Sequence, residues 1–502
     1  MPTTEISTSM ATIQMEENQL DLVEIRSTGD VLLDVQFKNT PECTKSIPKD
    51  ALRSLRSRKL PIPSPRIIYR VRLDTLKKHS EYFRIMLKPQ FAEGLAVEKA
   101  LKELADTKQI ASELDSEKLP MIRIIDEDTA TKTFGREVVF RDMLRIIHGA
   151  DPLTSPITTQ FLTVLVLMAD QYNVMSAVSR HMQKVLAAHK YPTTLDKNGE
   201  EILRQKVLIQ FHTDQGVRFA NSTKELILRG SSRWTGIEDT RTHEYQAPWW
   251  DLPSGVEVEL AYRRTCVLRT IASIQNQYLA IYSSKDRQCK LGYDSSGSCD
   301  SFQLGEMVKF LTKKGLLSLV PFQAVSPEDP EYIWPEAYAG DIEYLIGVLR
   351  QCPSYQIDHN HGHCGLRTRL LPALDHIKSC IDTGLGIKLN RSKTGPTFDS
   401  WIPTEPVSSK KSFWVGGKDG EDVDVGGDKL KQFEFGPSRT KTILGGSGGN
   451  VERTPKGLFT AGRWNWVTEL ESPMMRTGES IICGLGEQFI DSYRPHSIWP
   501  YP

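Results

Sequence analysis

Two short segments near the start of the chain alternate apolar and polar residues. Every second residue is apolar from Val31 to Phe37, and the same alternation recurs from Ile67 to Leu73. A period of two is typical of strands with one buried face. The segment 41–66 between them is rich in proline and serine, so it predicts a long loop between paired strands. Residues 1–28 have no period and predict a disordered tail.

Helical spacing follows the second predicted strand. Leu76, Phe83 and Leu87 recur at helical intervals, and Ser80 is placed to cap a second short helix before Tyr82. The charged stretch 88–119 predicts a solvated insertion, and the β-branched run 121–125 predicts a third strand.

Two helices are predicted beyond the third strand. The segment 134–147 places most of its apolar residues near one face, with Gly149 as a stop, and 157–172 is apolar nearly all round, as in a buried helix. The first of these helices has more apolar positions than one face needs. Either a partner protein covers the additional apolar residues of this helix, or the charged part of the insertion, 98–118, covers them.

The middle of the chain, 200–390, predicts a mostly helical domain. Between Val267 and Ile281 apolar residues alternate at spacings of four and three, which is typical of a coiled-coil seam or of a buried bundle helix. Pro372 interrupts another helical pattern and predicts a kink or two helices. The glycine-rich region 392–502 predicts flexible chain around a short segment with Trp464 and Trp466, which could dock on the helical domain as a strand.

Composition narrows the function classes. The chain has 502 residues, with 63 basic and 63 acidic side chains, so its net charge is zero. That balance excludes a protein that is basic as a whole and grips nucleic acid with its entire surface. Eight cysteines are too few for a disulfide scaffold of this length, and no secretory signal or membrane span is visible, so we expect an intracellular protein of the nucleus or cytoplasm.

Four segments together carry a family resemblance. They are GDVLLDVQF (29–37), YRVRLDTLKKHSEYFRIML (69–87), DMLRIIHG (142–149) and ADQYNV (169–174). In this order the segment 29–190 resembles a BTB/POZ domain, most specifically in the run 80–83 and in the strand entry 29–31. The insertions, together with WWDLP (249–253) and the run 287–307, are similar to fungal BTB proteins with a helical C-terminal extension.

The resemblance implies an α+β fold in which a small sheet packs on a cluster of helices. It also implies a non-enzymatic adaptor or scaffold, because members commonly form homodimers or bind the cullin scaffold of a ubiquitin ligase. Carried over to this chain, it places partner contacts at Asp34, Tyr82, Phe83 and Met143. The expected partner is a protein, with self-association as one form and with no membrane.

A cluster of cysteine and histidine is the sharpest local motif. It runs from Cys352 to Gly365 as CPSYQIDHNHGHCG. Imidazole and thiolate are the ligands that zinc prefers, so a structural zinc site is one hypothesis. The other is a hydrogen-bonded loop whose thiols are buried as small apolar groups. The candidate ligands are Cys289, Cys299, Cys352, His359, His361, His363 and Cys364.

The same motif also resembles the core of HNH-type endonucleases. Carried over, Asp358 and His361 would be metal ligands and His359 the general base, which gives a metal-containing nucleic-acid protein as the alternative function. The flanking pairs of zinc-binding cysteines that stabilise the HNH fold are absent from this sequence. Apart from this motif, we expect no nucleic-acid partner except through the basic loop 41–66, which has seven basic and two acidic residues. The loop has no interleaved aromatic residues, so the other interpretation is a solvated loop without a partner.

Overall fold

A computed structural model describes the chain over residues 21–41, 43, 47, 49–57, 62–192, 199–231, 234, 252, 255–316, 338–362, 364–392, 395–403, 432–435 and 454–466. It combines α-helices with a small mixed sheet, which confirms the predicted α+β class. Among these residues no helix has the length and apolarity to cross a bilayer.

The chain divides into two compact units. Unit 1 comprises Met1–Leu226, Ile237–Leu260 and Gly386–Ser400, and unit 2 comprises Ile227–Gly236, Ala261–Leu385 and Trp401–Pro502. The helix Gly199–His212, which the sequence assigned to the helical middle, lies in unit 1.

The main sheet belongs to unit 1 and has the order β1–β3–β2–β4. Its strands are β1 (Asp21–Glu24), β2 (Val31–Lys38), β3 (Arg66–Val71) and β4 (Met121–Glu127). Strand β2 pairs antiparallel with β3 and parallel with β4, and β1 adds parallel to β3. The three predicted strands are confirmed. The prediction that residues 1–28 are a disordered tail is wrong for β1. This strand is ordered by its pairing with β3, and it is too short to show a hydrophobic period of its own.

The helices of the described chain that precede Val256 all begin in unit 1: α1 (Lys49–Ser57), α2 (Leu73–His79), α3 (Glu81–Met86), α4 (Ala92–Asp106), α5 (Arg136–Ile147), α6 (Thr159–Gln171), α7 (Met175–Ala188), α8 (Gly199–His212) and α9 (Gly216–Arg229). The predicted cap is confirmed, since the Ser80 hydroxyl accepts from the Phe83 amide at 3.1 Å. Helix α1 corrects the prediction that 41–66 is loop throughout. Leucine, alanine and arginine favour helix there, despite the flanking prolines.

The core of unit 1 lies between the sheet and helices α5 and α6. The Phe140 ring contacts the rings of Phe37, Tyr69 and Tyr172 at centroid distances of 5.7, 5.4 and 5.2 Å. Helix α5 is buried by this packing, and Val97 and Leu101 of the insertion belong to the same apolar cluster. Most apolar positions of the predicted helix 134–147 are therefore interior positions, and for these the partner explanation is corrected. Val138 is the exception, at 39 % exposure.

An ion pair lies inside this core. The Arg136 guanidinium donates to the Asp126 carboxylate at 2.7 Å, and both side chains are 1 % exposed. The Tyr172 hydroxyl donates to the other carboxylate oxygen at 2.7 Å, and Arg136 also donates to the Thr133 and Lys38 carbonyls. Every polar atom of this carboxylate therefore has a partner, as a buried charge requires.

The end of the insertion, residues 111–119, covers the opposite face of the sheet. Leu119 is buried against Leu32 and Ile68, with Ala111 and Leu114 packed beside them. The Arg70 guanidinium attaches this segment to the sheet by donating a hydrogen bond to the Leu114 carbonyl at 2.9 Å. The charged stretch therefore contains the apolar residues of a second, smaller core.

Unit 2 is mainly helical. It contains most of α10 (Val256–Ser283), then α11 (Ser296–Lys313), α12 (Ile342–Arg350), α13 (Leu366–Gly384) and the short α14 (Pro455–Phe459). Helix α10 is buried on several faces: Val267, Ile271, Ile274 and Tyr278 are buried, and so are Arg264 and Cys266. It is therefore a buried bundle helix. Helix α13 continues through Pro372, so the prediction of two separate helices is wrong.

Two short strand pairs complete the described chain. Strands β5 (Leu389–Ser392) and β6 (Gly395–Phe398) pair antiparallel in unit 1, and β7 (Gln432–Glu434) and β8 (Arg463–Asn465) pair parallel in unit 2. The predicted docking strand is confirmed by the residues beside β8. The Trp466 side chain is 1 % exposed, and its indole N–H donates to the Ser273 hydroxyl of α10 at 2.9 Å. Most of the predicted flexible region 392–502 lies outside the described residues.

Candidate interaction surface and candidate metal centre

Three of the four predicted partner contacts are interior residues. Phe83 and Met143 have no exposed surface, and Asp34 is 3 % exposed. The Asp34 carboxylate accepts two hydrogen bonds from the Arg66 guanidinium, at 2.7 and 2.6 Å. Their assignment to a partner surface is corrected, because apolar burial and this ion pair already occupy them. Tyr82 is the fourth, and it is 38 % exposed.

Tyr82 belongs to a run of exposed apolar side chains on α3 and α4. Ile85, Phe91 and Leu95 are 41, 40 and 58 % exposed. We call these four residues the α3–α4 surface. The first turn of α4 packs closely on the chain that follows α3, since a Cβ atom at Gly94 would lie 2.2 Å from the Lys88 carbonyl oxygen. The sequence alone does not show that residues 85, 91 and 95 are exposed, because apolar residues of the same kind also occupy the buried face of these two helices.

Three buried cysteines converge in unit 2. Cys289 follows α10, Cys299 lies in the first turn of α11, and Cys364 immediately precedes α13. Their sulfur atoms all lie within 4.8 Å of one another, and the sulfurs of Cys289 and Cys364 are 3.8 Å apart. We call these three residues the cysteine cluster. Their side chains are at most 3 % exposed, beside Leu291 and Ile357.

Hydrogen bonds hold two of the three cysteines in place. The Asp300 carboxylate, on α11 beside Cys299, accepts from the backbone amides of Gln288 at 2.6 Å and Cys289 at 3.1 Å. The Tyr282 hydroxyl, at the end of α10, donates to the Cys364 carbonyl at 3.0 Å. These hydrogen bonds to the backbone, together with a hydrogen bond from the Cys364 thiol to the Cys289 sulfur, hold the sulfurs together without a disulfide bond.

Burial controls the protonation of these thiols. It raises the pKa of Cys364 to about 11, with a further increase from the neighbouring Cys289. The pKa of Cys299 is also raised, first by burial and then by the charges of Cys364 and Cys289. Two of the three groups are thus thiols at neutral pH, and a bound cation has to displace their protons.

His361 lies beside the cysteine cluster, with both ring nitrogens occupied. Nδ1 lies 2.7 Å from an Asp358 carboxylate oxygen, and Nε2 lies 3.1 Å from the Ser296 hydroxyl. The Ser295 hydroxyl donates to the other Asp358 oxygen. The hydrogen bonds from Ser295 and His361 lower the pKa of Asp358 to about 2. The imidazole therefore fixes the turn that leads to Cys364.

The other candidate ligands lie elsewhere. Cys352 is fully buried outside the cluster, with burial raising its pKa to about 11, and His359 is exposed on the turn. His363 lies outside the described residues. The nuclease-like motif forms a 3-10 turn between α12 and α13, and there Asp358 and His361 bind each other. We therefore do not propose a nuclease site.

Three comparisons with known proteins bear on the family of this chain. No family model matches it, no curated protein matches it, and no solved structure matches it.

Proposed function

We propose that unit 1 is a protein-interaction domain of the BTB/POZ class and that the chain is an adaptor or scaffold without catalytic activity. The observation that supports this proposal is the order of elements: β2, β3, α2, α3, β4, then α5 to α7, with α1 and α4 in the two inserted segments. Strand β2 lies between antiparallel β3 and parallel β4. A small sheet packed on a helix cluster in this order matches the four segments that carry the resemblance.

The α3–α4 surface is the contact site that we propose. Single exposed apolar side chains are common, whereas several on adjoining helices favour a protein interface. The rim is polar, with the Arg84 and Glu81 side chains paired beside Ile85. An apolar centre within a charged rim is the usual anatomy of such a contact. We propose a second copy of this chain as the occupant, with a cullin-type scaffold as the second candidate partner.

An intracellular site of action, in the nucleus or cytoplasm, is part of this proposal. The seven cysteines of the described chain are all buried, and none of them forms a disulfide, which suits a reducing compartment.

Light scattering coupled to size-exclusion chromatography of the full chain tests the surface. We expect a dimer at tens of micromolar. Leu95→Asp should weaken it about 30-fold, because a charge replaces the most exposed apolar side chain of the α3–α4 surface. The matched control is Val217→Asp on α9, where an equally simple apolar side chain is 80 % exposed. That variant should dimerise as the unaltered chain does.

Three results would contradict the α3–α4 surface as a contact between two copies of this chain. A monomer at every concentration contradicts the second copy as occupant. A pull-down from cell extract with the unaltered chain and Leu95→Asp then tests a different partner. If both proteins capture the same set of partners, the α3–α4 surface is not the interface. Equal weakening by Val217→Asp would also contradict the assignment, since it would show a general effect of added charge.

A further inference from the structure

We propose that Cys289, Cys299 and Cys364 bind one zinc ion, which joins three segments of unit 2 that are distant in sequence. This inference is independent of the proposed interaction function, because the ion would be structural. It rests on the positions of three sulfur atoms and on the charge and hydrogen bonds around them.

The first argument is the spacing of the sulfurs. Zn–S bonds of about 2.3 Å in tetrahedral geometry place neighbouring sulfurs about 3.8 Å apart. Cys289 and Cys364 have this separation, 3.8 Å, and all three sulfurs lie within 4.8 Å. One ion at their centre therefore requires only small side-chain movements. Thiolates are soft ligands and select zinc over magnesium or calcium.

The second argument is that a disulfide explains the cluster less well. A disulfide uses two sulfurs, about 2.05 Å apart, and would leave the third cysteine without a role. Three sulfurs at similar separations fit three ligands of one centre. Among the described residues only these three sulfurs converge, and we expect an oxygen or nitrogen donor at the fourth place of the tetrahedron.

The third argument is charge. Three thiolates and one divalent ion carry one negative charge, which is costly in a buried place unless a cation lies near it. Arg369, in the first turn of α13, is 8 % exposed. Its guanidinium lies over the Tyr282 ring at 5.5 Å, and Tyr282 binds the Cys364 carbonyl. The cation is thus fixed beside the centre that it would neutralise.

The hydrogen bonds of the neighbouring turn also favour a fixed site. Asp358, His361 and Ser296 form a chain that connects the turn before Cys364 to the start of α11, where Cys299 lies. Asp300 connects the same helix to Cys289. Each ligand segment is therefore attached to α11 by groups other than the sulfurs. Such support around the ligands is typical of metal sites.

Metal analysis of the purified full chain is the first test. We expect about one equivalent of zinc per chain, falling below about a tenth of an equivalent in Cys299→Ser. Cys352→Ser is the matched control, because Cys352 is as fully buried but lies outside the cluster. It should keep its zinc. A chain that holds no zinc, or one that loses zinc in Cys352→Ser but not in Cys299→Ser, overturns the proposal.

A second measurement covers the case in which Cys299→Ser fails to fold. X-ray absorption of the unaltered zinc-loaded chain should give three sulfur neighbours at about 2.3 Å and one lighter neighbour. Cobalt added to the zinc-depleted chain should give the intense thiolate-to-cobalt absorption band. A sulfur count of zero or one, or the absence of the cobalt band, overturns the proposal without any variant.

Discussion

Replacing Asp126 by alanine is expected to lower the free energy of unfolding of unit 1 by about 3–5 kcal/mol. The substitution leaves the Arg136 guanidinium buried without its carboxylate and removes the acceptor of the Tyr172 hydroxyl. A buried charge that loses its partner costs much more than the pair contributes. The effect should exceed that of most single substitutions in this chain.

Amide hydrogen exchange in β2, β4 and α5 measures this effect directly, because it reports the stability of unit 1 without interference from unit 2. The control is Glu127→Ala, one residue further along the same strand. Glu127 is exposed and lies 4.0 Å from Lys38, so its loss should cost less than about 1 kcal/mol. If the two variants exchange equally fast, the buried pair is not what stabilises this core.

Trp466→Ala is the second substitution with a large expected effect, about 3–5 kcal/mol on the attachment of residues 454–466 to α10. The side chain packs on Phe433 and Phe435, at ring distances of 5.8 and 5.7 Å, and its backbone amide donates to Gln277 at 2.7 Å. Alanine leaves a cavity and removes the indole hydrogen bond to Ser273. The segment should then separate from the helix more often.

Limited trypsin digestion reports that separation, because Lys456 and Arg463 lie within the segment. Cleavage there should accelerate about 100-fold or more if opening is fast relative to cutting. Trp464→Ala is the matched control, since that ring is only half-buried and bonds within its own segment, to the Leu458 carbonyl. Equal acceleration in both variants would show that Trp466 is not the anchor.

The sequence predicts the elements of unit 1 better than it predicts their contacts. Alternation in β2 and β3 and the cap at Ser80 are local signals, and local physics decides them. Strand β1 has no local signal, because its order comes from pairing with β3. The prediction failed for Phe83 and Met143 for a related reason. An apolar residue in a motif has the same identity whether it faces a partner or the core.

The metal motif shows the same limit. The sequence indicates cysteine and histidine as candidates, and it includes all three residues of the cysteine cluster. It cannot tell that Cys352 points elsewhere, or that His361 is held by Asp358 and Ser296. Those distinctions depend on which segments the helices bring together. Sequence distance gives no information on this, since Cys289 and Cys364 are 75 positions apart.

The insertion 88–119 has a consequence for anyone who shortens this protein. A charged stretch between a helix and a strand is an obvious segment to delete. Here it shields Leu32 and Ile68 from water, and a chain that lacks it would expose an apolar face of the sheet to solvent. Sheets with such a side stick to one another. The insertion 88–119 therefore protects the protein from aggregation through this face of the sheet, although its charged sequence suggests that it could be deleted.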